Sequence, residues 1–370
     1  MLSDQSSLQN LLMKKPPRRV LMIKSHSMGI GDILRSSAAW RAMKDQWPDV
    51  ELHLLFLSRH EGYSSEGLIS QHHLLTSATF LTIREGAPYD GEVRKVSNLR
   101  IWKEVWRLSR QIQPDWVIDF EWAGSRTSVL TAVARWARGA QSLGIHQFPM
   151  RSLFYQHVAP SSHEFVSRHG LSDPFDYTLR DFVVLDACGI QRGHTTIELR
   201  SDAASREKVA QLLPMRSDRL RVGLNIGCAT FGASHKRMSL DLLAQCFKQW
   251  MNAQSLEVLL TGAPNEREIN QEFITLFKGL GGDHHHLHDY AGQTDMLSLT
   301  ALIDACDVFV STDSGPYHMA VGLKKPTLCW LTYPEVTSYH LHPWVRCLIN
   351  PKVDEFLNSV QELSHNKRRP

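Results

Sequence analysis

An apolar run, Val308–Ser311, stops at Thr312-Asp313-Ser314-Gly315, and Pro316 follows where a first helical residue belongs. A strand that enters a helix through small polar residues leaves backbone N–H groups at the positive end of the helix dipole. That arrangement suits phosphate. Asp313, Ser314 and Gly315 fall at the helix start and His318 falls one turn inside it. Two readings of His318 stand together: a core histidine, or a group beside a bound phosphate.

Three further blocks have side chains at spacings that could do chemistry. Ser25–Asp32 reads SHSMGIGD, a turn that Gly29 and Gly31 keep tight, with Asp32 at the start of a helix. Asp32 either caps that helix or serves the chemistry, and a GxGD turn is not the full dinucleotide fingerprint. Asn225–Ser239 carries Thr230, His235, Lys236 and Arg237, hydroxyl and cationic groups that fit phosphate, or else a solvated loop. Leu260–Arg267 has Gly262 at a strand end and Glu266 near a helix start, where a carboxylate can receive ribose hydroxyls or simply sit at a helix N-terminus. The histidines His284, His285, His286 and His288 read as a solvated loop, because successive residues of an irregular segment point different ways. Arg100–Arg110, with Trp102 and Trp106, reads first as a docked amphipathic helix and second as a contact with an anionic membrane surface.

The elements that must position these blocks repeat a strand–helix alternation. Val20–Ile23 is a first strand, a helix runs from about Ile33 to Gln46, and Glu51–Leu57 is the next strand. Helical spacing over Ile101–Ile112, a strand at Trp116–Phe120 and a helix at Arg126–Trp136 continue the pattern. After a connecting helix at Ser201–Leu213 it restarts with strand Val222–Ile226, helix Leu240–Met251, strand Leu256–Thr261, helix Glu266–Phe277 and helix Leu297–Ala305. Two such halves, each opening on a strand–loop–helix turn, predict two Rossmann-like domains facing a cleft.

Composition narrows the class. The chain has 370 residues, 42% hydrophobic and 21% charged, enough for substantial cores and against global disorder. Residues 1–200 hold 24 Lys and Arg against 20 Asp and Glu, leaving 17 against 18 in the remainder. A mildly basic first half suits an anionic partner without requiring nucleic acid. Six scattered cysteines without CxxC spacing read as reduced thiols. No signal-peptide core or membrane-spanning run appears, so the expected location is cytoplasmic.

In order along residues 19–335, the blocks resemble glycosyltransferase family 9, the bacterial heptosyltransferases of lipopolysaccharide core synthesis. The anchors are Gly31-Asp32 with Ile33-Leu34 and a helix ending at Trp47-Pro48, Gly223-Leu224-Asn225 with Lys236-Arg237, Gly262 with Glu266, Gly292-Gln293-Thr294, and STDSGPYHMA. Two departures stand out. The first loop is longer than the usual S-x-x-G-D, and the common Lys-x-Trp-Pro is Lys236-Arg237-Met238-Ser239.

The resemblance implies an α/β fold of GT-B type, two Rossmann-like domains facing a central cleft. The expected acceptor-binding domain is 18–200 and the expected nucleotide-sugar domain 219–350, with 201–218 a linker and 351–370 a tail. It implies inverting, metal-independent transfer of a heptose or related sugar from an ADP-heptose-type donor. The acceptor would be a lipopolysaccharide core or similar lipid-linked anionic saccharide, with peripheral contact at the inner-membrane surface and no nucleic acid partner. By resemblance Asp32 is the base. Thr230, Lys236, Ser314 and Gly315 hold the diphosphate with His318 close by, Asp313 positions the turn, and Glu266 binds ribose. No cofactor and no metal are expected. A nucleotide-sugar epimerase of the same plan and a catalytically silent nucleotide-binding protein are the alternative readings.

Overall fold

The computed structural model describes residues 5–25, 29–58, 65–85, 94–121, 125–172, 175–215, 217–227, 234–333 and 339–366. The chain divides into two compact units. The first comprises residues 1–28, 35–173 and 178–196; the second comprises 29–34, 174–177 and 197–370. Two short segments from the N-terminal half, 29–34 and 174–177, therefore pack with the second unit.

The first unit is built on a six-stranded sheet. Its strands are β1 (Arg19–Ser25), β2 (Glu51–Ser58), β3 (Ser77–Thr82), β4 (Trp116–Asp119), β5 (Gln141–Ile145) and β6 (His157–Ala159). Every pairing is parallel, in the order β3-β2-β1-β4-β5-β6. That is the doubly wound order, in which strand progression reverses beside β1 and leaves a crevice at the carboxyl ends of β1 and β4. Such strands are covered on both faces, which is why Val20, Leu21, Met22 and Ile23 form an unbroken apolar run.

Helices α1 (Ile30–Leu34) and α2 (Ser36–Gln46) follow β1. The single helix expected from about Ile33 is thus two pieces broken at Arg35, and the break falls where the chain passes between units. Two further helices, α3 (Asn98–Ile112) and α4 (Arg126–Arg138), cover one sheet face. Ile101, Val105 and Ile112 of α3 recur at helical spacing and pack with Leu130 and Ala134 of α4 against Leu21 and Ile23. Each ends in a left-handed residue, Gln113 (φ 54°) and Gly139 (φ 77°), and Pro114 after the former cannot prolong a helix.

The second unit repeats the plan with β7 (Leu220–Asn225), β8 (Leu256–Thr261), β9 (Leu287–Asp289), β10 (Val308–Thr312), β11 (Thr327–Leu331) and β12 (Val345–Ile349). The parallel order is β9-β8-β7-β10-β11-β12, so the switch point lies between β7 and β10. Around this sheet run α5 (Leu240–Ala253), α6 (Arg267–Gly279), α7 (Met296–Asp304), α8 (Gly315–Gly322) and α9 (Val353–Asn366). Phe247, Trp250, Phe273, Trp330 and Phe356 lock α5, α6 and α9 onto one core. Each fully buried large side chain of this kind contributes about 1.5–3 kcal/mol. Among the described residues no helix is long and apolar enough to cross a membrane.

Candidate active site

The site assembles at the switch point of the second unit. β10 ends at Thr312, and α8 starts at Gly315, so Asp313 and Ser314 form the turn that the sequence placed at a helix N-terminus. Ser314 is the extended N-cap residue, and its hydroxyl donates to Asn225 Oδ1 at 2.8 Å, across the switch point to the end of β7. Thr312 Oγ1 donates to the Gly227 carbonyl at 3.1 Å. Both bonds hold the start of the Asn225–Ser239 loop against the turn. Gly315 meets α1: an added Cβ would stand 2.6 Å from Ile30 Cγ2.

Lys236 ends a 3₁₀ turn, Ser234–Lys236, and its Nζ donates to Asp313 Oδ2 at 2.7 Å. Tyr333 donates its hydroxyl to the same oxygen at 2.7 Å. Partial burial pulls the Lys236 pKa down, but the Asp313 charge and hydrogen bond outweigh this and raise it overall, keeping the ammonium charged. For Asp313, burial pushes the pKa up, while His318, Lys236 and Tyr333 hold it below the ordinary value. Tyr333 is pushed up to about 12 by burial and then by the Asp313 charge. The result is a fixed carboxylate that orients one cation at the mouth of a helix.

His318 lies one turn into α8 and is buried. Its Nε2 is 3.8 Å from Asp313 Oδ1, and its Nδ1 shares a 2.9 Å hydrogen bond with His340 Nε2. One imidazole must donate and the other accept. The Tyr177 ring stacks on His318, with centroids 5.2 Å apart and planes 27° apart. Tyr177 then donates its hydroxyl to Asp32 Oδ1 at 2.7 Å. Asp32 is the third residue of α1, only 4% exposed, in the helix that packs on α8. Gly31 permits this approach, because a Cβ there would overlap the His318 ring. Asp32 is therefore more than a helix cap; it joins His318 through one tyrosine.

Glu266 closes a 3₁₀ turn after β8 and is 5% exposed. Its Oε2 accepts from the Ala263 amide at 2.7 Å, while Oε1 has no hydrogen-bond partner among the described residues. Burial raises its pKa, only partly countered by the Ala263 amide. Oε1 comes so close to Gly227 that a Cβ there would push the Glu266 carboxylate aside. Gly292, with φ 72°, donates to the Gly262 carbonyl at 2.9 Å and supports this strand end.

Of the residues singled out from sequence, Asp32, Lys236, Asp313, Ser314, Gly315 and His318 belong to one connected network, and Glu266 adjoins it through Gly227. Thr230 lies outside the described residues. His284–His286 form a 3₁₀ turn whose start Asp283 caps, apart from this network. Sequence reasoning missed Tyr177, Tyr333 and His340. Their only signal was a polar ring or hydroxyl next to apolar runs, and their partners are remote in sequence. Among the described residues one group could hold a metal ion by its donors: Asp176, His340 and His342, all buried, with ligand atoms within 4.8 Å of one another. In the first unit, Ser25 Oγ donates to Glu121 Oε2 at 2.7 Å across its own switch point. Behind it lies a buried ion pair, Lys24 with Asp181 at 2.8 Å, also unannounced by the sequence pattern.

Two doubly wound parallel sheets, each with its own switch point, define an α/β protein of GT-B type with two Rossmann-like units. Residues 177–345 match the family model of glycosyltransferase family 9 (heptosyltransferase), in agreement with the likeness read from the sequence motifs. No curated protein sequence matches the chain.

Similar solved structures include the ADP-heptose LPS heptosyltransferase II of E. coli, at 16% identity and TM-score 0.67, covering 94% of this chain and 99% of that one. A glycosyl transferase family 9 protein of Veillonella parvula aligns at 14% identity and TM-score 0.70, over 94% and 97% of the two chains. E. coli heptosyltransferase WaaC with ADP-2-deoxy-2-fluoro heptose aligns at 15% identity and TM-score 0.59, over 94% and 99%. At these identities the structural likeness speaks for the fold.

Proposed function

We propose that the protein is an inverting, metal-independent glycosyltransferase that moves a heptose or related sugar from an ADP-heptose-type donor. The acceptor is a lipopolysaccharide core or similar lipid-linked anionic saccharide, which brings the enzyme to the inner-membrane surface. The observation that carries this reading is the connection of Asp32, through Tyr177 and His318, to the Asp313–Lys236 pair at the start of α8. A carboxylate base and an anion seat then belong to one hydrogen-bonded and stacked assembly.

In this reading Asp32 takes the proton of the acceptor hydroxyl, whose oxygen attacks the anomeric carbon on the side opposite the nucleotide. The bond from that carbon to the diphosphate breaks as the new glycosidic bond forms. Charge accumulating on the departing diphosphate is met by Lys236 and by the backbone amides at the start of α8. Asp313 keeps Lys236 aimed and charged. Glu266, with Oε1 unengaged among the described residues, receives ribose hydroxyls. Thr230 adds a hydroxyl to the same phosphate-binding loop. A donor-type ligand in a heptosyltransferase of the same fold, ADP-2-deoxy-2-fluoro heptose in WaaC, supports the choice of nucleotide.

The test is a thermal-shift panel of ADP-, GDP- and UDP-sugars, followed by transfer assays with the nucleotide-sugar that binds. A ligand present at about a hundred times its Kd stabilises the folded state by about 2.7 kcal/mol, which a melting curve reads directly. Selective stabilisation by an ADP-sugar, with ADP released only when a saccharide acceptor is added, is the expected result. Conversion of the donor without acceptor, or no nucleotide-sugar binding at all, would overturn the proposal.

A further inference from the structure

The outer surface of α3 and α4 differs from an ordinary solvated helix face. The two helices lie side by side on the first sheet, joined where Ser109 Oγ donates to the Ala134 carbonyl at 2.6 Å. Their inward stripes are complete, yet Trp102 is 41% exposed and Trp106 45%, one turn apart on α3, while Trp136 near the end of α4 is 64% exposed. Four Lys or Arg residues stand on α3 and three on α4, against the single acid Glu104. Glu104 is itself tied to Arg107 at 2.6 Å. Indole rings raised among these cations are poorly suited to bulk water. They match the headgroup zone of an anionic bilayer, where indole sits at the polar–apolar boundary and cations meet lipid phosphate.

We propose that the α3–α4 face of the first unit is a docking surface for an anionic lipid bilayer, with Trp102, Trp106 and Trp136 entering the headgroup layer. Charge complementarity decides the occupant. A second copy of this chain docking face to face would oppose two cationic surfaces, which repel. Attachment is peripheral, since no described helix can span a membrane. The inference narrows the membrane partner of the proposed transferase reading to one face, and donor binding, a property of the second unit, is the separate readout.

The experiment is flotation of the full chain with vesicles of phosphatidylcholine alone, or with about a third phosphatidylglycerol, while following indole emission. Binding is expected only to the anionic vesicles, with a blue shift, and should fall at least about tenfold between low and high salt because the contact is electrostatic. Trp102→Ser with Trp106→Ser, and separately Lys103→Glu with Arg110→Glu, should each lower partitioning about tenfold or more, each cation being worth roughly fivefold. Both double variants should keep the melting temperature and the nucleotide-sugar thermal shift. The charge-reversal pair alters exposed side chains only and decides the matter if the tryptophan pair unfolds. Wild-type protein that stays in the aqueous fraction, or variants that float as well as wild type, would overturn the proposal. So would a self-association in gel filtration, or an oligonucleotide affinity, that the same substitutions abolish in place of vesicle binding. Vesicle binding without any nucleotide-sugar shift would leave the docking surface standing and remove the transferase reading.

Discussion

Tyr177 donates its hydroxyl to Asp32 Oδ1 at 2.7 Å while its ring lies on the His318 imidazole. One side chain thus holds the carboxylate and packs on the histidine beside the Asp313–Lys236 pair. A base that removes a proton in the transition state typically contributes about 10²–10⁴ in rate. Asp32→Asn should therefore lower kcat by about a thousandfold, with nucleotide-sugar affinity within a few-fold of wild type. Tyr177→Phe keeps the stacked ring and loses only the bond that orients Asp32, so a smaller loss of about tenfold in kcat is expected. Steady-state kinetics with a parallel donor titration checks both. Undiminished turnover of the asparagine variant removes Asp32 from the chemistry.

Lys236 has a different signature, because in the proposed reaction its charge meets a group present in both donor and product. Lys236→Ala should raise the Kd of ADP-sugar and of ADP alike, by about 10–100-fold for one lost charge-assisted contact. It also leaves Asp313 with Tyr333 and His318 but without its cation, and this partly buried pair should give up about 1–2 kcal/mol of stability. The sign with pH follows from Asp313, whose pKa is lower folded than unfolded. Its contribution is present above the unfolded value near 4 and is lost as pH falls through the folded one. The melting-temperature gap between wild type and variant should thus be widest at neutral pH and close in acid. A gap that persists undiminished below pH about 3 contradicts the assignment.

Much of this arrangement was legible in the sequence where one local rule sufficed. The turn Thr312-Asp313-Ser314-Gly315-Pro316 announced itself through the end of a β-branched run and a proline at the helix start, and the structure has a strand ending at Thr312 and a helix starting at Gly315. Strand Leu256–Thr261 fell where its apolar run placed it. Less legible was whatever depends on contacts distant in sequence. Tyr177 and Asp32 are 145 residues apart, and no periodicity links a tyrosine after a loop to an aspartate in a five-residue helix. The same holds for Lys24 and Asp181, whose pairing turns a lysine in an apolar strand from an anomaly into a satisfied core group. The break at Arg35 escaped notice because helical spacing continues through it, while the two pieces pack with different units.

Gly31 tests the closeness of the two helices directly. An added methyl would overlap the His318 ring, which is held between Tyr177 and His340, so it cannot be absorbed by a simple rotamer change. Gly31→Ala should cost about 1–3 kcal/mol, in the range for overpacking, and lower kcat by displacing His318 or α1. Gly29→Ala is the control, since a Cβ there meets no described atom within 4 Å. Thermal melts and turnover of the two variants should differ clearly. Equal behaviour would mean that α1 does not seat on α8 in solution.

In the proposed function Glu266 links stability to nucleotide binding with opposite signs. Burial raises its pKa, so the folded chain holds the proton more tightly than the unfolded chain does. The folded state is favoured while the group is protonated, and that advantage fades as pH rises from the unfolded value near 4.5 through the folded one. At neutral pH Glu266→Gln removes a desolvated charge yet retains an acceptor for the Ala263 amide. Its melting temperature should exceed wild type by about 2 °C at pH 7 and match it near pH 4. Nucleotide affinity should nonetheless fall about tenfold, through loss of a charged acceptor for ribose hydroxyls. A variant that is more stable and binds as well as wild type would take ribose binding away from Glu266.

Removal of divalent metal separates two uses of the histidines behind the site. Asp176, His340 and His342 could grip an ion, but His340 also bonds to His318 and Leu341 N–H donates to Asp176 Oδ2 at 3.0 Å. Those bonds give the group a structural role that needs no ion, in which His340 braces His318 from the side opposite Asp313. In the proposed function Lys236 and the start of α8 meet the diphosphate charge, so transfer should continue unchanged in excess EDTA, with the same melting temperature. His340→Ala should then lower kcat about tenfold by loosening His318 and should do so equally with and without chelator. Chelation that lowers the wild-type melting temperature, reversed by added zinc and absent in His342→Ala, would instead make this cluster a metal site coupled to the donor turn through His318.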